Sequence, residues 1–582
     1  MEHRNPDQPS SIYMGAPVRL TTLANGALTN AQAQERLAKT SYLEPTVDRV
    51  ADGVICFGGD GFLNLTLIEG DGGLIVYDTG EVLEDGERFL RQIRAISDKP
   101  IVAVIYSHSH YVSGTTALVG EGAGVQVIGH PRTNENLATG ASGSTYPETA
   151  PLQSSRTLQQ FNYFVDQEGP DAAAGAALRF GRGGILPVNT PVGDGQRMTL
   201  AGVEMQFFTR YGSDTDDCLT VFLPRTGVVL SNFFWPFMPN VYTLRGSKLR
   251  DPRDWRDGLK VIRGLEPQAL VNTHARALKG RAAVREALDK VIDALNLVLD
   301  QTLRGILRGL GPEDLRSFVR LPRHLAEFAN LAEIYGEVSH YGPYLFNHAL
   351  GWFDGDAASI NPLPPREQAQ RLVDAMGGAD GVADRARAAL QAREYAWALQ
   401  LASYLYRLDP ANREVRLLKA DALRQMGRVT PAHTIRSWYL SQARALRGEV
   451  VIPRLQFPNT RILSMAPPAA SIDQYRVRVD PEQSADMDTL LVLDVRDRAS
   501  RHALHLRRGV VEFVSDPDAY RRKPDVELAT DFDNWLRFFS CKRGLDEFLA
   551  RTNLTHGSVG AARAFFAVFD FYAPEDNTIV PK

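Results

Sequence analysis

The feature that most constrains the fold is a set of short apolar runs that end in histidine. "IVAVIYSHSH" (101–110) is rich in β-branched and aromatic residues and ends in His108 and His110. "QALVNTHARALKG" (268–280) brings His274 to the end of a second such run. Short apolar runs of this composition predict buried strands. Chemically active side chains at strand ends favour a layered α/β arrangement.

The residues around these runs extend the same pattern. "NLTLIEG" (64–70) and "GLIVYDTG" (73–80) flank an acidic-glycine turn, which predicts a hairpin. "GERFLRQIRAIS" (86–97) has apolar residues at helical spacing and predicts a helix. Three further strands are predicted at "MTLAGVEMQFFTRYG" (198–212), "CLTVFLP" (218–224) and "GVVLSNFF" (227–234).

The second half of the chain changes to helical periodicity. Beyond about residue 281, and again over 366–445, apolar residues recur every three to four positions. "EYAWALQLASYLYRLDPANREVRLLKADALRQMGR" predicts a helix-turn-helix pair of the tetratricopeptide kind, which needs a neighbour to cover its apolar face. Prolines mark a linker at 453–470, and 471–582 predicts a small α+β module of strands followed by two helices.

Composition limits the classes of partner. A chain of 582 residues is too long for one core, and 65 Lys+Arg against 69 Asp+Glu point to neither nucleic acid nor an anionic membrane. Cys56, Cys218 and Cys541 lie far apart, so we expect small buried residues of a reducing compartment. Without a signal-peptide stretch or an apolar run of about 18 residues, we expect a cytoplasmic protein with no membrane insertion. No organic cofactor is implied.

The H-x-H pair indicates a metal site. Residues i and i+2 of a strand project to one side, so His108 and His110 can share a cation if other strand ends add ligands. The further candidates are His274 and the acidic residues Asp214, Asp216 and Asp217 of "GSDTDD". Asp216 and Asp217 are expected mainly to form a solvated acidic turn. A chance pair remains the alternative, because the chain has 12 histidines.

The order of several motifs resembles one enzyme family. "NLTLIEGDGGLIVYDTG", "DKPIVAVIYSHSHYVSG", "NVYTLRGSKLRD" and "VSHYGPYLFNHALGWFDGDAASINPLPP" are similar to the alkylsulfatase family of the metallo-β-lactamase superfamily, over about residues 45–582. The resemblance implies an αββα sandwich, then an all-α dimerisation domain and a small α+β sterol-carrier-like domain, in a homodimer. The corresponding ranges are 1–45 for an N-terminal arm, 46–310 for the metallo-β-lactamase-like domain, 311–450 for the helical domain and 451–582 for the C-terminal domain.

The resemblance also shows where the metal ligands depart from the family pattern. The family carries H-x-H-x-D-H, whose first two positions match His108 and His110. Val112 stands at the aspartate position and Ser113 at the last histidine position. Both substitutions remove ligands of a second ion.

Three other positions complete the ligand set that the resemblance implies. Asp214 stands for a first glutamate ligand, Asn232 falls at or beside the bridging glutamate, and His274 matches a later histidine. One site therefore keeps three ligands and the other keeps His274 alone. Zinc sites need three or four protein ligands, so we expect one divalent ion, zinc or iron.

The family pattern assigns roles to three more residues, and a fourth role follows from the position of Tyr111 beside the histidine pair. Arg245 matches an arginine that engages the sulfate, with a structural ion pair as the alternative. His340 matches a histidine that protonates the leaving group or steadies the sulfate, with a satisfied core histidine as the alternative. Tyr111 is expected to fill part of the vacated second site, and Asp78 to support the histidine ligands from behind.

Three functions remain open from the sequence. The first is metal-dependent hydrolysis of a sulfate ester or a similar small amphiphilic molecule. The second is a mononuclear non-heme iron oxidoreductase or oxygenase, because two histidines and one carboxylate also suit iron. The third is a dimeric binding protein that has lost catalysis.

Overall fold

The computed structural model forms two compact units. It describes residues 11–122, 124–138, 145–175, 178–457, 460–573 and 578. One unit runs to Asn134 and resumes over Leu158–Val450; the other contains Glu135–Thr157 and Val451–Thr578. The domain boundaries expected at 45, 310 and 450 stay predictions.

The first unit begins with a small ribbon and a seven-stranded sheet. The ribbon and its helix are β1 (Leu20–Thr22), β2 (Leu28–Asn30) and α1 (Ala31–Thr40). The sheet contains β3 (Thr46–Ala51), β4 (Val54–Gly58), β5 (Leu65–Gly70), β6 (Gly73–Tyr77), β7 (Ile101–Ile105), β8 (Gln126–Gly129) and β9 (Thr190–Pro191), in that order. The predicted β5–β6 hairpin is confirmed, with Gly70 opposite Gly73. From β6 onward the strands are parallel.

Helices connect and follow these strands. They are α2 (Leu83–Arg94) and α3 (Thr115–Val119); α4 (Thr133–Ala138) and α5 (Ala150–Gln160) lie largely within Glu135–Thr157, which belongs to the second unit. Parallel neighbours need a crossover, and α2 provides it between β6 and β7 while burying Phe89 and Ile93. The predicted helix at 86–97 is therefore confirmed, with an earlier start and an earlier end.

A second sheet of six strands lies in the same unit. Its strands, in order, are β10 (Arg197–Leu200), β11 (Val203–Phe208), β12 (Thr220–Leu223), β13 (Val228–Ser231), β14 (Ala269–Asn272) and β15 (Leu278–Lys279). The single strand expected at 198–212 is a hairpin instead. Ala201 and Gly202 turn the chain with φ of 50° and 82°, which the alternating apolar pattern did not reveal.

The core of this unit lies between the two sheets. Val54, Ile75 and Ile105 of the first sheet share one buried cluster with Phe207 and Val271 of the second. The outer face of the second sheet is covered by α6 (Pro252–Gly264) and α7 (Arg281–Leu307), whose apolar residues join a separate cluster with the sheet. The predicted αββα sandwich is confirmed.

The helical region follows α7. Its helices are α8 (Pro312–Phe318), α9 (Arg323–Ala326), α10 (Tyr341–Leu350), α11 (Pro365–Ala375), α12 (Gly378–Gln391), α13 (Tyr395–Leu408), α14 (Arg413–Val429) and α15 (His433–Arg447). The predicted helix-turn-helix pair is α13–α14, and Asn412 caps α14 by accepting from the N–H groups of Glu414 and Val415. Buried residues of α12 and α15 cover its apolar face.

A buried carboxyl group connects distant parts of this unit. Glu337 accepts hydrogen bonds from the hydroxyl groups of Tyr13 and Thr430, each at 2.7 Å. Thr430 caps the end of α14. The side chain thus joins the N-terminal segment to the helical region.

The second unit is an α+β module, as predicted. Its sheet has the order β18–β17–β16–β19–β20, from β16 (Asp488–Val495), β17 (Ser500–Arg507), β18 (Val510–Val514), β19 (Val526–Thr530) and β20 (Asn553–His556). Its helices are α16 (Thr460–Leu463), α17 (Pro468–Tyr475), α18 (Phe532–Phe539), α19 (Leu545–Ala550) and α20 (Val559–Ala567). The linker expected at 453–470 is interrupted because Pro468 begins α17, a position that suits proline.

Two further expectations concern the whole chain. All three cysteines are buried and free, as predicted. Within the described ranges, none of the helices combines the length and apolarity required to cross a bilayer. The sterol-carrier likeness of the C-terminal domain stays a prediction, and residues 574–577 and 579–582 of its tail lie outside the described residues.

Candidate metal centre

The candidate site forms where strand ends from both sheets meet. Parallel neighbours present their carboxyl ends at one edge, which places the following residues close together. These residues are Asp78 after β6, His108 and His110 after β7, Asp214 between β11 and β12, Asn232 after β13 and His274 after β14.

Buried carboxylates, rather than the strand pleat, orient the two histidines. Strand β7 ends at Ile105, so the pleat expected to align the pair stops before it. Asp78 accepts from the N–H of Ser107 at 2.8 Å, and Asp217 accepts from the N–H of Ser109 at 2.9 Å. The prediction of a solvated turn is wrong for Asp217, which is fully buried.

Asp78 has an unusual environment. It is fully buried and has a φ of 63°, a left-handed conformation that aspartate adopts more readily than most residues. Burial raises the pKa of Asp78 to about 6, against the charge of His108 and the hydrogen bond from Ser107. The carboxyl group is bonded to the segment that carries the histidines, and its supporting role stays a prediction.

Three side chains form a compact ligand cluster. His108 Nε2 lies 3.0 Å from His110 Nδ1 and 3.6 Å from Asp214 Oδ2, and His110 Nδ1 lies 3.1 Å from Asp214 Oδ2. With metal–ligand distances of about 2.0–2.2 Å, ligands at octahedral to tetrahedral angles lie roughly 3.0–3.5 Å apart. The donor set and its spacing therefore fit one divalent ion.

The electrostatics of the cluster favour an ionised carboxylate. Burial alone would raise the pKa of Asp214, but the charge and hydrogen bonds of His108 and His110 hold it well below its usual range. Burial lowers the pKa of His110 to about 4, so this imidazole is neutral and able to bind a cation. Nε2 of His110 is also buried, with no hydrogen-bond partner among the described residues.

Asn232 orients the carboxylate of the cluster. Its Nδ2 donates to Asp214 Oδ1 at 2.7 Å, which leaves Oδ2 facing the histidines. The indole N–H of Trp235 donates to the carbonyl of Asn232 at 2.9 Å and fixes its backbone. An asparagine at this position supports the ligand from behind.

The structure separates His274 from the cluster. His274 was included among the metal-binding candidates, but only His108, His110 and Asp214 come together. Nδ1 of His274 donates to the Phe62 carbonyl at 2.8 Å, and the Tyr111 hydroxyl lies 3.3 Å from Nε2. Burial lowers the pKa of His274 to about 4, so Nε2 accepts the hydrogen bond from Tyr111.

Tyr111 occupies the space between the histidines. Its ring centroid lies 5.0 Å from that of His108 and 5.3 Å from that of His274, and the side chain is buried. A second ion beside His274 would have to displace this ring and its hydroxyl. The geometry is that of one ligand cluster bordered by an aromatic side chain.

A cavity of about 160 Å³ opens beside the cluster. Arg245 and Arg250 line it together with His110 and Asp214, and its apolar side carries Phe62, Phe161, Trp235 and Tyr335. Burial and the charge of Arg250 lower the pKa of Arg245. Among the described residues, the guanidinium of Arg245 forms no hydrogen bond or ion pair.

His340 does not line this cavity. It ends a short 3-10 turn at Val338–His340, and its Nδ1 accepts from Arg316 at 2.8 Å. Burial and the charge of Arg316 lower the pKa of His340 to about 4. A neutral ring already bonded to arginine is a poor proton donor, so the structure corrects the catalytic assignment and favours a structural one.

Sequence reasoning missed Arg250 and Glu81 at the site and predicted the wrong environment for Asp217. Arg250 lines the cavity five residues after Arg245, and buried Asp217 holds the histidine turn. Glu81 lines the cavity three residues after Asp78. Its position directly beyond the strand-end "DTG" was the only available signal.

Comparison with known proteins identifies similar domains. Residues 311–449 match the family model for alkyl sulfatase dimerisation, and residues 58–111 match that of the metallo-beta-lactamase superfamily. The chain is 31% identical over 537 residues to a linear primary-alkylsulfatase from Pseudomonas sp. (strain ATCC 19151), covering 87% of this chain and 98% of that protein.

Two other proteins extend the comparison. An (R)-specific secondary-alkylsulfatase from Pseudomonas sp. is 29% identical over 554 residues, which cover 89% of this chain and 80% of that protein. The solved structure of a stereoselective inverting sec-alkylsulfatase from Pseudomonas sp. is similar with a TM-score of 0.78 at 25% identity, covering 98% of this chain and 94% of the other.

Proposed function

The chain belongs to the alkylsulfatase family of the metallo-β-lactamase superfamily, and we propose on this premise that it is a metal-dependent hydrolase of sulfate esters with a single-ion site. The observation that carries the proposal is the cluster of His108, His110 and Asp214, whose ligand atoms lie 3.0–3.6 Å apart. No comparable set surrounds His274 among the described residues.

Zinc or iron would be held by His108 Nε2, His110 Nδ1 and Asp214 Oδ2. Such an ion supplies Lewis acidity and lowers the pKa of water. The protein's part is orientation: Asp78 and Asp217 hold the histidine turn, and Asn232 directs the carboxylate. The same donors suit Fe²⁺, but no observation favours oxidation over hydrolysis.

The cavity suits an anion attached to an apolar group. Arg245 has a free guanidinium, and Nε of Arg250 is buried without a partner among the described residues. Planar paired donors match the oxygens of a sulfate group. Aromatic side chains on the other wall favour an alkyl or aryl group, so we propose an amphiphilic sulfate ester as substrate.

We further propose a homodimer formed through the helical region. Leu307 is 88% exposed, Trp352 71% and Leu350 60%, and these apolar residues lie in or beside the matched dimerisation segment. Contiguous apolar surface marks protein interfaces, and the match to the alkyl sulfatase dimerisation model supports placing one in this region. We also retain the proposal that residues 451–582 form a sterol-carrier-like domain.

Metal content and sulfate release test the function. Purified protein should contain about one equivalent of zinc or iron, and His108→Ala should lose it, because two remaining ligands bind weakly. The matched control is His324→Ala, which removes an exposed histidine and should change neither metal content nor activity.

Substrate turnover provides the second test. The wild-type protein should release sulfate from a medium-chain alkyl sulfate, and Arg245→Ala should reduce kcat/KM by about 100-fold or more, because a buried charged hydrogen bond is lost. Arg253→Ala, at an exposed position, is the control. Two metal equivalents, or no sulfate release at any chain length, would refute the proposal.

A further inference from the structure

Glu81 projects from the segment that carries the metal-site architecture. It follows Gly80, whose carbonyl accepts from the N–H of Ser113 at 3.0 Å and whose N–H donates to the Tyr111 carbonyl at 3.3 Å. The segment is therefore fixed against the histidine turn. Glu81 lines the same cavity as His110, Asp214 and Arg245.

The two carboxyl oxygens of Glu81 have different environments. Oε2 accepts from the backbone N–H of Arg179 at 2.8 Å. Oε1 is buried and has no hydrogen-bond partner among the described residues. A buried oxygen without a partner is energetically unfavourable, so such an oxygen on a side chain that lines a cavity points to a partner supplied by the ligand.

Nearby cations do not account for this carboxyl group. Arg179 and Arg88 both direct guanidinium nitrogens at Asp85, which is buried beside Glu81. The backbone N–H of Glu81 also donates to Asp85, at 2.9 Å. Asp85 thus uses the available positive charge. Glu81 also lies outside the cluster of His108, His110 and Asp214, so it is not one of the metal-ligand candidates.

We propose that Glu81 is the general acid that protonates the leaving oxygen of the substrate, a conclusion that rests on the proposed sulfate-ester hydrolysis. The Glu81 side chain lines the cavity that would hold the sulfate group, whereas the histidine expected to donate this proton is bonded to Arg316 and does not line it. Proton donation by a positioned carboxyl group matches the requirement of an alcohol leaving group.

Hydrolysis transfers one oxygen atom from water to the sulfur of the ester. The oxygen of water forms a bond to sulfur, the bond between sulfur and the ester oxygen breaks, and its electron pair stays on that oxygen. The Glu81 carboxyl proton passes to the same oxygen and gives the alcohol. Sulfate leaves as the water-derived group releases two protons, of which one restores Glu81 and the other enters solvent.

The electrostatic surroundings agree with a protonated carboxyl group. Burial raises the pKa of Glu81 to about 8, and the charge of Asp85 also raises it. The hydrogen bond from the Arg179 N–H and the charges of Arg179 and Arg88 lower it by less. Tyr111 and His110 face the same cavity from the histidine turn. A group with this pKa carries a proton at neutral pH.

Leaving-group dependence tests the assignment. An alkyl sulfate releases a basic alkoxide and needs the acid, whereas 4-nitrophenyl sulfate releases a stable phenolate and does not. E81Q keeps the shape and an oxygen for the Arg179 N–H but carries no acidic proton. We expect kcat to fall about 100-fold or more for the alkyl sulfate and less than about 10-fold for the aryl sulfate.

Controls separate this inference from the proposed function. E84Q changes an exposed carboxylate three residues along and should leave both rates unaltered. Metal content and the unfolding transition of E81Q should match those of the wild type. In the pH–rate profile of the wild type, kcat for the alkyl sulfate should decline above about pH 8, whereas kcat for the aryl sulfate should show no such alkaline limb. This measurement needs no variant.

Each outcome has a distinct meaning. A wild-type protein inactive on both esters would overturn the proposed function. An active wild type whose E81Q variant loses both activities equally, or neither, would overturn the assignment of Glu81 alone. The absence of the alkaline limb for the alkyl sulfate would also overturn it.

Discussion

Replacing Glu337 by glutamine should change how stability depends on pH. Burial and the charge of Glu333 raise the pKa of Glu337 to about 7, although Tyr13 and Thr430 donate hydrogen bonds that lower it. The folded-state pKa lies above the unfolded value of about 4.3, so the folded protein holds this proton more tightly. The resulting stabilisation is complete below the unfolded pKa and is lost as pH rises through about 7.

The magnitude follows from the difference in pKa. A shift of about 2.7 units at about 1.36 kcal/mol per unit corresponds to roughly 3.7 kcal/mol in total. Integrated between about pH 5 and pH 9, the loss is about 2.5 kcal/mol. E337Q keeps an oxygen that accepts from Tyr13 and Thr430 but cannot ionise, so the wild type should lose this amount relative to the variant.

Urea unfolding of both proteins at the two pH values measures the effect. The difference in unfolding free energy between wild type and E337Q cancels the titration of groups that both proteins share. E327Q, at an exposed position, should show no pH-dependent difference. A wild-type-minus-E337Q difference that is the same at both pH values would refute the reasoning.

Three further changes test the site, the assembly and the packing. Asn232→Leu removes the hydrogen bond to the aspartate ligand and should weaken zinc affinity about 10- to 100-fold in a chelator competition, and unchanged affinity would contradict the support described. Trp352→Glu should convert the dimer to a monomer in light scattering, whereas a persistent dimer would place the interface elsewhere. Gly86→Ala would put Cβ 2.1 Å from the Gly114 carbonyl oxygen and should cost about 1–3 kcal/mol in thermal unfolding. Gly264→Ala should cost less than that, because outside its chain neighbours and its own helix backbone a Cβ there would meet no atom of the described residues within 4 Å.

The architecture was accessible to sequence reasoning because periodicity and turn residues act locally. Apolar runs identified the strands around β6 and β7, and the "DPAN" turn identified the α13–α14 pair. The hairpin at Ala201–Gly202 was missed because both of its strands alternate apolar and polar residues, and the change of phase across the short Ala-Gly turn was overlooked. Positive φ at a non-glycine residue leaves no clear compositional mark.

The site was only partly accessible for a different reason. The strand ends bring His108, His110 and Asp214 together, which the chain order of the motifs anticipates. The hydrogen-bond partners of His340 and Asp217 come from other segments of the chain. Arg316 donates to His340, and the N–H of Ser109 donates to Asp217. Side-chain pairing of this kind follows from packing, so a motif cannot specify it.

The hydrogen bond between the Tyr111 hydroxyl and His274 has a consequence for any attempt to build a second ion site. An acidic residue at position 112 or a histidine at position 113 would add ligand atoms. A second cation beside His274 would still have to displace the Tyr111 phenol. A second ion site would therefore require removal of the aromatic ring together with the new ligands. A variant with only one of these changes would have a buried polar group without a partner. The proposed single-ion site therefore depends on the position of the Tyr111 ring as well as on the residues at positions 112 and 113.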